Sequence, residues 1–387
     1  MKTTSILYLV LSYLITCYSI NFTENVASLN YREKRAVVRG EKYRWNQRIF
    51  LYSVDSSLRI DKIVLGLAMI TKRTCLTFVR ITKQSERHKA QLLYVRSLMY
   101  LTFLGKHGKN PHKIYVPRVL TNPSKVARET LRALGLDYEH NRPDRNNYLD
   151  VTFRNIPTSL LLLFYKDSYP FVDTFGLNYD YRSIMHFEIG ESCKKKKICM
   201  RTKERNTLVE SVLGKSNELT FNDAKLTNLQ YCLSWLIVKR RKCLHYGYPI
   251  PLSVSPNNCV CLPYFTGKLC ETPKKNYDYC RTQNVFYALR RKLKAILISK
   301  NNCYYYIRAD NGKRIKFEIK YLRYRLWNRL CNNFEHVEVR SKDISVSGTM
   351  ICPKFLPYRF ISTSNMVIIH TKNLKKSFKL KLSYKVL

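Results

Sequence analysis

Acidic side chains are scarce in this chain of 387 residues: Asp and Glu number 27 against 69 Lys and Arg, a formal net charge of +42. Glycine is sparse as well, at 12 residues, which excludes collagen-like and flexible low-complexity sequence. No apolar run of about 18 residues follows the N-terminal stretch, so no membrane-spanning helix is expected beyond it. No internal repeat is present, which removes solenoid architectures. What is there looks globular: 45% hydrophobic and 25% charged residues, enough chain for two or three domains with buried cores. The charge by itself suggests a nucleic-acid partner first.

The N-terminus argues against that partner. Lys2, the apolar stretch from Ile6 to Ile15 and the small residue Ser19 have the layout of a secretory signal over residues 1–19. Arg32-Glu33-Lys34-Arg35 resembles a furin-type processing site, which makes 20–35 a short propeptide and Ala36 the mature start. Asn21-Phe22-Thr23 is a glycosylation acceptor within that removable stretch. Of the 13 cysteines, Cys17 lies in the signal, and the remainder are even in number, as suits disulfides in an oxidising compartment. A secreted, extracellular protein is expected, with no nucleic-acid partner.

Organisation follows the cysteines. Cys75 stands far from Cys193, Cys199 and Cys232, while Cys243, Cys259, Cys261 and Cys270 crowd into a segment too short for a core without bridges. Cys280, Cys303, Cys331 and Cys352 are spaced through a region rich in strand signals: Tyr304-Tyr305-Tyr306-Ile307, Met366-Val367-Ile368-Ile369, and Glu335-His336-Val337-Glu338-Val339 alternating at period two. Upstream, Ile63, Leu67 and Ile70 have helical spacing. A second helix is better marked, with Asn122 as N-cap, Pro123 in the first turn and Gly135 as stop. Its apolar face is Ala127, Leu131 and Leu134, and Arg128 and Arg132 lie one turn apart on the adjoining face, with Glu129 beside Arg128.

From Arg128 to Tyr138 the sequence keeps the frame H-E-x-x-H-x-x-G-x-x-H, in which two His on one helix bind zinc and Glu activates its water. Glu129 and Gly135 are in register, and Arg142-Pro143-Asp144-Arg145-Asn146-Asn147-Tyr148 continues the frame. Tyr179-Asp180-Tyr181-Arg182-Ser183-Ile184-Met185-His186-Phe187 is similar to a Met-turn centred on Met185. With Trp45 near the mature start, Thr74-Cys75-Leu76-Thr77-Phe78-Val79, and the closing Tyr231-Cys232, the segment resembles the astacin family of zinc metalloendopeptidases. Cys259-Val260-Cys261, Phe265, Gly267 and Cys270 look like the end of an EGF-like module, and the last four cysteines have CUB-like spacing, the nematode protease–EGF–CUB arrangement.

The resemblance implies an α+β fold: a two-lobed astacin-like (metzincin) peptidase domain over 36–232, a small disulfide-rich EGF-like module over 233–271, and a β-sandwich CUB-like domain over 272–387. It implies the pairs Cys75–Cys232, Cys243–Cys259, Cys261–Cys270, Cys280–Cys303 and Cys331–Cys352, with Cys193–Cys199 left over. It makes Glu129 the family general base and Glu139 the residue that receives the new N-terminal ammonium of Ala36. No cysteine lies between Cys75 and Cys193, so the bridge that the family places ahead of the zinc helix has no counterpart here.

The metal positions depart from the family. Arg128, Arg132 and Tyr138 stand where the three His would be, and Phe187 where a Tyr oxygen would complete the set. A guanidinium has no lone pair to offer. It also repels the ion, by roughly 6–7 kcal/mol at about 5 Å and an effective dielectric of about 20. Neither His140 nor His186 restores the helix-borne pair, and no cofactor is expected. The two Arg are instead expected to supply the positive charge of the lost metal, pairing with Glu129 and Glu139. Residues 233–387 hold 31 of the 69 basic and only 7 of the 27 acidic side chains, too few acids for a calcium site.

The reading is thus a secreted, catalytically inactive homologue (a pseudoprotease) that binds an extracellular protein or an anionic glycan or matrix. The alternatives are an active zinc-dependent metalloendopeptidase and a CUB-mediated polyanion adhesion protein. The basic runs at 194–197, 239–242, 290–294 and 372–381 are either scattered solvated charge or a polyanion surface.

Overall fold

A computed structural model describes residue 37 and residues 43–387, apart from 109–110, 169–171, 206, 234–241, 250–257, 281, 323–335 and 352–356. The expected signal, propeptide, mature start Ala36, Cys331 and Cys352 lie outside the described residues.

The first lobe is a five-stranded sheet of β1 (Ile49–Val54), β2 (Thr77–Arg80), β3 (Leu92–Ser97), β4 (Leu101–Thr102) and β5 (His112–Pro117), in the order β2-β1-β3-β5-β4. All neighbours run parallel except the edge strand β4, antiparallel to β5. Helix α1 (Ile60–Thr71) buries Ile63, Leu67 and Ile70, the expected face. Helix α2 (Pro123–Ala133) opens on Asn122, whose side-chain oxygen accepts the Ser124 N–H at 2.9 Å. It ends where Gly135 adopts φ +94°, letting the Leu136 N–H reach back to the Leu131 carbonyl. The helices touch through Gly66: a Cβ there would stand 2.7 Å from the Pro123 carbonyl oxygen and 2.9 Å from Val126.

The second lobe is mostly irregular, with β6 (Leu149–Val151) paired to β7 (Met200–Thr202), the short α3 (Thr207–Glu210), and α4 (Phe221–Tyr231) at its close. A capping box between Thr220 and Asp223 starts α4. Disulfide Cys75–Cys232 ties its end to the turn between α1 and β2, and Cys193–Cys199 closes a tight loop. One apolar core runs through both lobes, from Trp45 and Phe50 to Met185 and Leu213.

A small bridged segment follows, held by Cys243–Cys259 and Cys261–Cys270. It has two short ladders, β8 (Tyr248–Pro249) with β9 (Cys259–Val260) and β10 (Phe265–Thr266) with β11 (Thr272–Pro273). The C-terminal unit is a seven-stranded sheet stapled by Cys280–Cys303. Its main path is β12 (Val285–Tyr287), β13 (Leu293–Arg308), β18 (Met366–Val386), β14 (Ile315–Leu322) and β17 (Tyr358–Ile361), with β15 (His336–Arg340) and β16 (Thr349–Ile351) branching off β18. The 21-residue β18 pairs with β13 along one side; on the other it pairs first with β15, then with β14. Phe221 of α4 packs in one cluster with Tyr248, Tyr264, Tyr304 and Tyr306, joining the three parts of the chain.

Candidate functional site

Helix α2 is buried on nearly every side. Val126, Ala127 and Leu131 join the apolar core, and Thr130 donates to the Val126 carbonyl and meets the Tyr94 hydroxyl at 2.8 Å. The remaining face carries Arg128 and Arg132, exposed to 2% and 3%, with Glu129 fully buried between them. Arg128 donates through Nη2 to Glu191 Oε1 at 2.5 Å, through Nη1 to Glu191 Oε2 at 3.1 Å, and through Nε to Glu129 at 3.3 Å. The Phe187 ring lies 4.6 Å from its guanidinium carbon. Arg132 donates through Nε to Asp137 at 2.8 Å and through Nη1 to the Thr102 carbonyl of edge strand β4, and stacks 4.4 Å over Tyr138. Lys125 completes the group, 2.9 Å from Glu191. A pocket of about 210 Å³ opens beside it, lined by Asn122, Lys125, Arg128, Glu188 and Lys215 among others.

Burial alone would lower both guanidinium pKa values, but Glu191 and Glu129 around Arg128, and Tyr138 and Asp137 around Arg132, raise them above the usual arginine value. Burial likewise works to raise Glu191, and Arg128 and Lys125 hold it far below the usual carboxylate range. Glu129 is lifted by burial against the pull of both arginines. Its two oxygens accept the Tyr138 hydroxyl at 3.0 and 2.9 Å, and burial pushes that phenol well above its ordinary value.

Tyr138 also packs on His140 and Phe187, with ring centroids 5.3 and 4.4 Å apart. Met185 is buried, its carbonyl accepting the N–H of Glu139 in the segment that follows α2 at 3.1 Å. The Met-turn segment is clamped from α4: Asp223 accepts from Ser183 Oγ at 2.5 Å and from the Ile184 N–H at 2.9 Å. The two nearby imidazoles are engaged. His186 meets the Tyr179 hydroxyl at 2.7 Å and the Phe187 carbonyl at 2.6 Å; His140 meets the Leu163 carbonyl at 3.1 Å. Burial keeps His186 down to about 4 and His140 well below the usual range.

The structure therefore gathers Arg128, Glu129, Arg132, Tyr138, Met185 and Phe187 into one buried site. It corrects the expected pairing in one respect. Arg132 meets Asp137, not Glu139, and Arg128 finds its main partner in Glu191. Glu139 instead accepts from Arg142 at 3.3 Å and from the Asp180 N–H at 2.9 Å, and burial pushes its carboxyl up to about 8. Val37, the residue after Ala36, forms a β-bridge with Leu136. Glu191 and Asp223 were not legible as site residues: each lies far along the chain, and only the folded contact reveals it.

A mixed sheet bearing α1 and α2, a Met-turn bonded to the segment that follows α2, and a disulfide joining the ends define a metzincin-type peptidase domain. The model of the astacin peptidase family matches residues 37–232, half of the chain, and the chain belongs to that family. It is 24% identical to the zinc metalloproteinase nas-34 of Caenorhabditis elegans over 88% of this chain and 55% of that protein. It is 30% identical to the zinc metalloproteinase dpy-31 of Brugia malayi over 64% of this chain and 41% of that protein. The chain thus spans about half the length of these relatives. The solved high choriolytic enzyme 1 of the medaka Oryzias latipes aligns at a TM-score of 0.42 and 19% identity, over 51% of this chain and 97% of its own.

The family implies zinc, and the donor chemistry here does not suit it. Arginine has no lone pair, Phe187 no oxygen, and the Tyr138 hydroxyl is spent on Glu129. Among the described residues no group of three or more His, Cys, Asp or Glu is arranged to hold a metal, and no helix is long and apolar enough to cross a membrane.

Proposed function

We propose that this chain is a secreted astacin-family pseudoprotease that binds extracellular partners and does not hydrolyse peptide bonds by the zinc route. The observation that carries the reading is the pair of desolvated arginines on α2, each with its own carboxylate, Glu191 and Asp137. Their guanidiniums take the space and the positive charge of a metal centre while offering no ligand. Glu129 then serves as an ion-pair and hydrogen-bond partner, not as a base. Five disulfides among the described residues support an oxidising, extracellular setting. Binding is assigned to the EGF-like module over 233–271 and the CUB-like domain over 272–387. Ala36 is assigned as the mature N-terminus and Glu139 as the carboxylate that receives its ammonium; the bridge from Val37 to Leu136 supports this.

Metal analysis of the purified chain, with a peptide-cleavage assay, tests this. Zinc well below one equivalent and no cleavage above background are expected. The double variant Arg128→His, Arg132→His is expected to stay metal-poor, because Tyr138 and Phe187 remain. One zinc per chain, with cleavage abolished by Glu129→Gln, would establish the active endopeptidase instead.

A further inference from the structure

Over 293–297 of β13, 379–386 of β18, and β14 and β17, the CUB-like sheet turns its core residues to one side. Leu297, Phe317, Ile319, Leu380 and Leu382 enter its core, so the intervening residues of β13, β18, β14 and β17 share the outer face. On that face lysine stands directly across from lysine twice: Lys316 opposite Lys385, and Lys320 opposite Lys381. Lys379 and Lys294 extend the array along β18 and β13. Strands spaced about 4.8 Å apart, with same-face residues about 7 Å apart along each strand, make this a regular cationic grid. Its one acid, Glu318, is held by both Lys320 at 3.1 Å and Arg359 at 2.9 Å.

The register is set by the core pairs of the same ladder, such as Ile319 with Leu382; like charges directly opposite in an antiparallel pair weaken the sheet, so the lysine pairs themselves add nothing to folding. A polyanion laid across the strands would relieve the repulsion and release counterions. We propose that this face docks a linear sulfated polysaccharide. Over this stretch the outer positions hold no aromatic side chain on which bases would stack, and Tyr304 and Tyr306 farther along β13 are buried in the cluster with the bridged segment. Its two exposed isoleucines, Ile296 and Ile361, sit at opposite margins on β13 and β17 and form no apolar wedge for a bilayer. The chain's disulfides place it where sulfated glycans, not nucleic acids, are the abundant polyanions. The proposal rests on the binding reading above and names its partner class.

The test compares three forms of the full chain on heparin and on a sulfonate cation exchanger: wild type, a face variant (Lys316, Lys320, Lys381 and Lys385 to Gln), and a control (Lys72, Lys83, Lys195 and Lys196 to Gln) that removes equal charge elsewhere. Wild type and control are expected to leave heparin at higher salt than the exchanger, and the face variant to lose that difference. The slope of log affinity for heparin against log salt should fall by about 3 in the face variant, somewhat under one for each lysine removed. The face variant's thermal midpoint should hold or rise; a fall would contradict the repulsion argument. Equal losses in both variants, co-elution of wild type from the two columns, or binding to phosphatidylserine vesicles that heparin does not displace would overturn the proposal. None of these readouts depends on zinc or cleavage, so the pseudoprotease reading stands or falls separately.

Discussion

Arg128 and Glu191 show how much a single desolvated ion pair constrains this site. Breaking a buried pair from one side leaves an unpaired buried charge, which costs about 3–5 kcal/mol. Glu191→Gln keeps the shape and removes the charge, so urea denaturation is expected to show a loss in that range. A loss under about 1 kcal/mol, the scale of an exposed pair, would mean that Arg128 reaches water. The substitution pattern on α2 was plain from the sequence, because Arg128, Glu129 and Arg132 are one motif. Their partners were not. Glu129 and Glu139 were the expected partners, but past the left-handed residue Gly135 it is Asp137 that meets Arg132. Glu191 arrives from beyond the Met-turn, where no local pattern marks it.

Among the elements, α1 and α2 were readable from caps and periodicity, and their crossing was not. It depends on Gly66, which sits against Pro123 and Val126 with no room for a methyl group. Gly66→Ala trades better helix propensity for an overpacked contact. The contact should win, because a helix gains about 1 kcal/mol at most from the exchange while overpacking costs about 1–3 kcal/mol. A lowered thermal midpoint is expected, and a raised one would show that α1 slides freely. The strands of the first lobe were illegible, since a parallel sheet is set by contacts distant in sequence. In β18 the apolar strand signal ends at Ile369, yet Lys379 to Val386 alternates at period two. Its lysines read as a charge run, and their alternation with Leu380, Leu382 and Tyr384 carries the strand.

At the scale of the whole molecule, buried imidazoles set the acid limit. Burial holds His112 and His186 at about 4 and His370 at about 3, so each stays neutral in the fold while the unfolded chain takes up protons below about 6.5. The unfolded state therefore binds more protons at these sites as pH drops from about 6.5 to 4, and their contribution to stability is lost over that window. Glu139, at about 8, works the other way and softens the slope. His112→Gln removes one such proton, so at pH 4.5 it should lessen the stability lost relative to pH 7 by about 2 kcal/mol. Urea midpoints at the two pH values check this, and equal losses in wild type and variant would refute it.

The single strand β18 has a mechanical consequence. It is hydrogen-bonded to β13 for most of its length, while β15 and β14 share its other side in sequence. A pull along the strand would load both ladders in shear, so many bonds must break together before it slides. Tension on a partner seated across this sheet would thus be carried into the strand that holds the whole C-terminal unit together.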